Sequence, residues 1–182
     1  MSRLCPWDAQ SGRCRESETV ITMPRPFKLK ARLQAVASFI EDGASVVDVG
    51  TDHGYLPVYL AQNGLARRII ASDSSAMSLE SARRSAAKYG VTEAISFIAA
   101  PGLSGVGEED ADTVVIAGVG GETIVGILED APHIKRGIRF ILQPQTKIEL
   151  LRRWLQDNGY HIAEEKQASD RGREYTVLLV LK

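Results

Sequence analysis

Cysteine, histidine and aromatic residues are all scarce in this sequence. The chain of 182 residues holds two cysteines and three histidines, and Phe, Trp and Tyr together make up only 6% of it. Cys5 and Cys14 both lie in the N-terminal stretch, at a spacing that suits neither a zinc site nor a disulfide framework. The histidines are dispersed and no cysteine cluster accompanies them, so no metal site is predicted. A core without cysteine favours a reducing cytoplasm, where we expect the protein to work.

A charge excess of one sign and a long hydrophobic run are also missing. The 22 basic and 23 acidic side chains leave a net charge of −1 and a pI near 6.3. No field of the whole molecule therefore attracts nucleic acid or anionic lipid, and any such binding must be local. The longest apolar runs, such as Thr113 to Val119, fall short of the roughly 18 residues of a membrane span, so no membrane partner is predicted. The length suits one sizeable core and is too small for two ordinary domains.

The first 26 residues differ in pattern from the rest. They show no sustained hydrophobic period and no apolar segment of signal-peptide type, and they end in Pro-Arg-Pro, which disfavours a helix. We therefore predict a flexible N-terminal tail over residues 1–26 and one folded domain over residues 27–182. A short arm that docks on the domain is the alternative for the tail.

From residue 27 onward, helix-like and strand-like segments alternate. The first helix is predicted from apolar residues at helical spacing, and it ends near Gly43. Buried strands are predicted at Val46 to Val49, Arg68 to Ser72, Ile95 to Ala99, Thr113 to Ala117 and Arg139 to Leu142. Further helices are predicted at Tyr55 to Asn63, from Ser74 or Ser75 to Gly90, at Glu122 to Asp130, and from Thr146 to Gly159. Tyr89, Trp154 and Tyr160 have core-like spacing and are interpreted as packing residues.

The end of the chain breaks this alternation. Tyr160 to Lys166 and Glu174 to Leu181 are both strand-like with no helix between them, which predicts an antiparallel hairpin at one edge of the sheet. The alternation before it implies right-handed crossovers and a mostly parallel sheet with helices on both faces. The predicted fold is thus α/β and Rossmann-like, with a seven-stranded sheet. Class I methyltransferases, as a family, finish with such a reversed hairpin, whereas nicotinamide dehydrogenases repeat the crossover.

The first predicted strand ends in a stretch rich in acids and glycines, VVDVGTDHGYLP. Asp48 to Gly54 spells the pattern D-x-G-x-D-x-G. Gly50 and Gly54 let the backbone turn sharply and approach a ligand, and the next helix presents free N–H groups at its N-terminus. Asp52 replaces the central glycine of a dinucleotide fingerprint, where its charge would repel a pyrophosphate.

A cofactor with a cationic amino-acid end suits these acids better. S-adenosylmethionine carries a sulfonium and an ammonium group and has no phosphate. Asp73 ends the next predicted strand, where one carboxylate can accept hydrogen bonds from both ribose hydroxyls, and Ser74 follows it. We therefore predict that S-adenosylmethionine binds around these residues. The alternative is structural, with Asp48 as a strand-end cap and Asp73 as the N-cap of the next helix.

Several segments carry a resemblance to a known family. DVGTDHGYLP, IAGVGGETI and ILQPQTKIELLRRWLQDNGY resemble, in that order, signature segments of the bacterial tRNA (adenine(22)-N1)-methyltransferase family, and KLKARLQAVASFI is similar to its leading helix. The similarity runs from about Lys28 to Leu181. It implies a class I methyltransferase domain that moves a methyl group from S-adenosylmethionine to N1 of an adenine in tRNA.

The nucleophile defines what the catalytic residues must do. Adenine N1 has an in-plane lone pair and carries no proton, so the enzyme mainly aligns the base and tolerates its positive charge. The IAGVGG segment is expected to place Gly118, Gly120 and Gly121 beside the methyl group, with Ala117 as a cofactor-binding residue; alternatively its glycines only form a tight turn. His53 is a candidate to contact the base or move a proton, or it is a solvated turn residue. Gln143 is a candidate to pair with a base edge, or it caps a turn.

Two departures from the family pattern affect binding. Family members have an acid where it would bond the adenine amino group of the cofactor, but AAPGLSGV places Pro101 there, so adenine recognition is expected from backbone groups near Gly102 and Leu103. The family also has a helical extension after the catalytic domain. This chain ends at Lys182, and tRNA is therefore expected to be held weakly. The basic residues available to its phosphates are scattered and include Lys28, Lys30, Arg32 and Arg136.

Two other functions stay open at the level of sequence. One is methyl transfer to a small molecule or a protein, and the other is a non-catalytic domain that binds S-adenosylmethionine or has lost that binding through Pro101. A basic rim around the mouth of the site would favour RNA, whereas a lidded apolar pocket would favour a small molecule.

Overall fold

The computed structural model describes residues 7–8, 13–14, 26–107, 109–134, 137–170 and 172–182. Within the N-terminal segment, two short strands, β1 (Trp7–Asp8) and β2 (Arg13–Cys14), pair antiparallel. The sequence pattern does not predict this pairing. The expectation of a flexible tail otherwise concerns residues outside the described ranges.

The chain after the N-terminal segment contains the predicted elements in the predicted order. Its strands are β3 (Ala44–Val49), β4 (Ala66–Asp73), β5 (Ser96–Ala99), β6 (Thr113–Val119), β7 (Arg139–Pro144), β8 (His161–Asp170) and β9 (Arg173–Leu181). Its helices are α1 (Ala31–Ala37), α2 (Tyr55–Asn63), α3 (Ala76–Lys88), α4 (Gly121–Glu129) and α5 (Ile148–Asp157), and a 3₁₀ turn lies at Thr92–Ala94.

Seven strands form one sheet in the order β5-β4-β3-β6-β7-β9-β8. The first five are parallel to one another, and β9 runs antiparallel to both β7 and β8. The mostly parallel sheet with a C-terminal antiparallel hairpin is thus confirmed. From β3 the chain builds the sheet outward through β4 and β5, and then returns to the other side of β3 with β6. This reversal opens a crevice at the carboxyl ends of β3 and β6, which is where sheets of this type bind ligands.

Helices cover both faces of the sheet and bury its central strand. All six residues of β3 are buried, as expected for a strand covered on both sides. Val47 and Val49 belong to one apolar cluster, which includes residues of α4 and α5, whereas Val46 belongs to a second cluster with residues of α1 and α2. The alternation of side chains along β3 therefore joins the two halves of the core and fixes the position of the strand end that carries the acidic turn.

The first helix is shorter than the sequence pattern predicts. It begins only at Ala31, because Lys30 has an extended backbone with ψ 157°, and it ends before Ser38, far from the predicted stop at Gly43. The preceding segment is held in its extended form by the backbone N–H of Phe27, which donates to Gln62 Oε1 at 2.7 Å. Apolar residues of this segment pack on the core without being helical. The helix predicted from their spacing is therefore wrong for this segment.

Candidate active site

A cavity of about 500 Å³ opens at the carboxyl ends of β3, β4 and β6. The turn after β3, the end of β4, the turn after β6 and one face of α1 form its walls. The predicted site residues that line it are Asp48, Gly50, Asp52, His53, Asp73, Ser74, Gly102, Ala117 and Gly118. Residues predicted from four separate stretches of sequence thus meet in one place.

The turn after β3 is tied to the neighbouring strand by its backbone. The N–H groups of Gly50 and Thr51 both donate to the carbonyl of Ser72, at 2.8 and 3.0 Å. Gly50 has φ 71°, in the left-handed region, and a Cβ built there would meet no atom within 4 Å. The backbone conformation, rather than lack of space, therefore explains the glycine.

Asp73 spans from the end of β4 to this turn. Its Oδ1 accepts the N–H of Ser75 at 2.9 Å, and its Oδ2 accepts the N–H of Asp52 at 3.1 Å. The side chain is half-buried. Because a carboxylate has about four acceptor positions, two stay available for ligand hydroxyls after these bonds are made. The predicted alternative, an N-cap role, belongs to Ser75, whose hydroxyl accepts the N–H of Ser78.

Asp48 is a carboxyl group with 6% exposure. Its Oδ2 accepts the hydroxyl of Thr51 at 2.7 Å. Burial raises the pKa of Asp48 to about 7, and the charge of Asp73 adds to this, while the Thr51 hydrogen bond and the charge of Arg32 act in the opposite direction. A cationic group entering the cavity would return this carboxyl to its ionised form. Functional sites commonly contain a group in a cleft whose pKa is strongly shifted.

Arg32 enters the cavity from α1 and holds a buried amide. Its Nη1 donates to Gln143 Oε1 at 2.6 Å, and its guanidinium carbon lies 5.9 Å from the centroid of the Tyr175 ring. Gln143 is fully buried, and its Nε2 donates to the carbonyl of Pro144 at 2.9 Å. The structure therefore places Gln143 behind Arg32, outside the cavity lining, rather than at the mouth where the sequence placed it. Arg32 was counted only among the scattered basic residues, because nothing in its local pattern shows which neighbour it meets.

Three more predicted residues lie outside the lining, each for a packing reason. A Cβ at Gly54 would lie 2.8 Å from the Cβ of Ala82, so glycine lets the start of α2 approach α3. Leu103 is buried in the apolar core. A Cβ at Gly120 would lie 3.2 Å from Thr146 Oγ1, in the neighbouring turn. Their predicted roles at the cofactor or the methyl group stay predictions.

The loop after β5 reaches the cavity on either side of Pro101. Ala100 and Gly102 line the cavity, whereas Pro101 is exposed. The carbonyl of Pro101 accepts both the N–H and the hydroxyl of Ser104, at 3.2 and 2.9 Å. The loop is thus shaped by its own turn, and adenine recognition by its backbone groups stays a prediction.

The cavity opens at its mouth into a larger groove of about 1010 Å³. His53, whose side chain is 52% exposed, stacks on Tyr55 with ring centroids 5.3 Å apart, and its Nε2 lies 3.7 Å from Asp52 Oδ2. His53 and Tyr55 line both the cavity and the groove. Tyr55 was not singled out from the sequence, although its position directly after the acidic turn was a usable signal.

Neither a metal site nor a membrane span is predicted from the sequence, and the described part of the chain bears on both. There, no group of three or more His, Cys, Asp or Glu side chains is placed to hold a metal ion. Among the same residues, no helix combines the length and hydropathy that crossing a bilayer requires. Arg136, expected to meet phosphates, lies outside the described residues.

Comparison with known proteins identifies what this arrangement resembles. A family model described as a methyltransferase domain matches residues 29–178. The tRNA (adenine(22)-N(1))-methyltransferase of Bacillus subtilis (strain 168) is 37% identical over 153 residues, which are 84% of this chain and 64% of that protein. The chain therefore spans somewhat less than two thirds of this relative.

Solved structures give the same result. The crystal structure of the B. subtilis tRNA methyltransferase TrmK matches with a TM-score of 0.81 and 36% identity, covering 85% of this chain and 67% of that one. Sp1610 of Streptococcus pneumoniae, solved in complex with S-adenosyl-L-methionine, matches with a TM-score of 0.78 and 36% identity, covering 85% and 73%.

The strand order, the reversed hairpin and a cavity at the switch point of the sheet define a class I methyltransferase domain. More specifically, the chain belongs to the bacterial tRNA (adenine(22)-N1)-methyltransferase family. The resemblance drawn from the sequence motifs is thereby confirmed.

Proposed function

We propose that this protein transfers a methyl group from S-adenosylmethionine to N1 of an adenine in tRNA. Residues 27–182 form the catalytic domain in this proposal, and residues 1–26 form a tail outside it. The observation that carries the proposal is the position of two carboxyl groups, Asp48 and Asp73, at the ends of adjacent strands in one cavity. The S. pneumoniae relative bound to S-adenosyl-L-methionine and the B. subtilis relative named for its tRNA adenine support it.

The residues of the cavity fit this cofactor. A volume of about 500 Å³ lies in the usual range of small-molecule sites. Asp73 has acceptor positions for the ribose hydroxyls, and the buried carboxyl of Asp48 suits a cationic amino-acid end. Arg32, with one N–H engaged by Gln143, has donors for the carboxylate of that end. The backbone near Gly102 borders the cavity where the adenine would be held.

For this reaction the protein mainly has to align the adenine with the methyl group of the cofactor. S-adenosylmethionine supplies a methyl group activated by its sulfonium, and adenine N1 needs no general base. Gly118, with φ 87°, lines the cavity without a side chain, and a Cβ there would lie 3.3 Å from Arg32 Nη1. The carboxylate of Asp52 lies at the mouth, where it stabilises the positive charge that the base acquires.

The groove beside the cavity favours RNA over a small molecule. Its walls carry the cationic side chains of Lys28, Lys30, Arg32, Lys88 and Arg173, although the net charge of the whole chain is −1. A local basic rim of this kind is what a phosphate backbone requires. An enzyme that acts on tRNA and has a cysteine-free core is expected to work in the cytoplasm.

The test is methyl transfer from labelled cofactor to unmodified bacterial tRNA at low salt, followed by mapping of reverse-transcription stops. We expect labelled RNA and a stop at one adenine, because methylation at N1 blocks Watson–Crick pairing. Label on protein or small molecules with none on RNA would overturn the RNA assignment. Cofactor binding with no transfer to any acceptor would favour a non-catalytic domain.

A further inference from the structure

Four aromatic rings from three parts of the chain form a continuous row along the groove. His53 stacks on Tyr55 at 5.3 Å with an interplanar angle of 23°, and Tyr55 lies 5.5 Å from Phe27. Phe27 in turn contacts Tyr89 edge-on at 4.9 Å. All four rings line the groove, and the first two also line the cofactor cavity. The row therefore leads from the groove to the place where the methyl group is transferred.

The row is held in place by a side chain behind it. Gln62 on α2 accepts the backbone N–H of Phe27 at 2.7 Å, and its Nε2 donates to the carbonyl of Tyr89 at 3.3 Å. This amide ties the segment before α1 to the end of α3. Tyr89 and Phe27 are partly buried on the core, as the sequence predicted for Tyr89, whereas Tyr55 is 41% exposed. The inner rings thus support an exposed outer pair.

Cations border the rings. Lys28 and Lys30 lie on the segment that carries Phe27, Lys88 precedes Tyr89, and Arg173 comes from the tip of the β8–β9 hairpin. Within the described part of the chain, Lys28, Lys30 and Arg173 form no ion pair. Asp52 and Asp170 are the acidic residues in the lining of the groove. Exposed rings flanked by unpaired cations are the features with which proteins bind unpaired nucleotides.

We infer that the groove binds unpaired nucleotides next to the target adenine, with bases stacked on Tyr55 and His53 and phosphates on the bordering cations. Stacking requires a free base face, and within a double helix those faces are covered by neighbouring bases. The acceptor segment must therefore be single-stranded or opened when it binds. This inference rests on the proposed function and adds the form in which the RNA is recognised.

The test is the dissociation constant of a labelled single-stranded oligoribonucleotide containing adenine, and of its duplex, measured by fluorescence anisotropy with saturating S-adenosylhomocysteine. We expect the single strand to bind more tightly than the duplex. Tyr55→Leu should weaken the single strand about tenfold, as the loss of one stacked base does. Tyr59→Leu is the matched control, because Tyr59 lies one turn along α2 and packs on the core.

Phe27→Leu serves as a second variant, since Phe27 lines the groove but not the cofactor cavity. We expect it to weaken the single strand severalfold while the affinity for S-adenosylhomocysteine stays unchanged. Equal binding of duplex and single strand, or wild-type affinity in both variants, would overturn the inference. If the inference fails but the wild-type protein still methylates tRNA, the proposed function survives. If the variants weaken RNA binding as expected but the wild-type protein methylates no RNA, the proposed function fails and the groove assignment stands.

Discussion

The cofactor cavity and the neighbouring groove are built in different ways. The cavity is formed at strand ends, and its carboxylates are fixed by backbone N–H groups and by burial. The groove is assembled from the segment before α1, the end of α3 and the tip of the last hairpin, and it presents exposed side chains. The strand ends of the sheet thus form the cofactor site, which is the part that class I methyltransferases share. The groove, to which we assign the acceptor, depends instead on contacts between distant segments.

Removing the carboxylate of Asp73 should weaken cofactor binding in the cavity and leave RNA binding in the groove unchanged. In Asp73→Ala, we expect the affinity for S-adenosylhomocysteine to fall by about 3 kcal/mol, because hydrogen bonds to a charged acceptor are lost. The affinity for single-stranded RNA without cofactor should be unchanged. Calorimetry measures the affinity for S-adenosylhomocysteine, and fluorescence anisotropy measures the affinity for RNA. Asp157→Ala, at the exposed end of α5, is the control, and an equal loss in both variants would contradict the assignment.

Asp48→Asn should show that this buried carboxyl serves binding rather than stability. In the folded state the pKa of Asp48 is raised to about 7, so the fold favours the protonated carboxyl. Below the unfolded pKa this group costs no stability, and the free energy of unfolding falls as the carboxyl ionises and the pH rises through 7. The variant should therefore gain about 2 kcal/mol in the free energy of unfolding at pH 8, with the gain growing from pH 4 to 7. Urea unfolding across this range measures it. A variant less stable than wild type at pH 8 would contradict this account.

The same carboxyl should make cofactor binding depend on pH. A cationic ligand prefers the ionised form, so affinity for S-adenosylmethionine should rise about tenfold between pH 6 and pH 8. In Asp48→Asn this dependence should disappear and the affinity should be low throughout. Calorimetric titrations at several pH values would show it. A wild-type affinity that falls as the pH rises would mean that another group controls binding.

The smallest expected effect concerns the adenine end of the cavity. Pro101→Asp should tighten cofactor binding about threefold, the value of one modest additional hydrogen bond, because it restores the acid of the family pattern. Pro101→Ala is the control and should change little. No gain in Pro101→Asp would show that the loop, held by Ser104, does not direct this side chain toward the adenine.

The fold was predictable because its signals are local. Apolar strands alternate with amphipathic helices, and the change of rhythm after α5 marks the hairpin, so element order and strand directions follow from the sequence. The start of α1 was not predictable in the same way. Leu29 has helical spacing, yet it packs on the core from an extended segment, and the contact that holds this segment comes from Gln62 on another element.

The residues of the site also differ in whether local sequence could predict their positions. The meeting of Asp48 and Asp73 in one cavity was predictable because each ends a strand, and strand ends of a parallel sheet lie at one edge. Arg32 and Tyr175 were missed, because their proximity depends on how α1 packs against the hairpin and β7. Gln143 was placed at the mouth from its position after a strand, but Arg32 covers it. Local sequence therefore specifies the cofactor cavity better than the groove beside it.

The central claim is that the acidic turn and Asp73 form a site for a cationic nucleoside and exclude a dinucleotide. The most direct measurement is a calorimetric titration of the wild-type protein with S-adenosylmethionine, S-adenosylhomocysteine and NAD⁺ under the same conditions. We predict one binding site per chain for each of the first two and no binding of NAD⁺, because Asp52 repels its pyrophosphate. Binding of NAD⁺ without binding of S-adenosylmethionine would contradict the account.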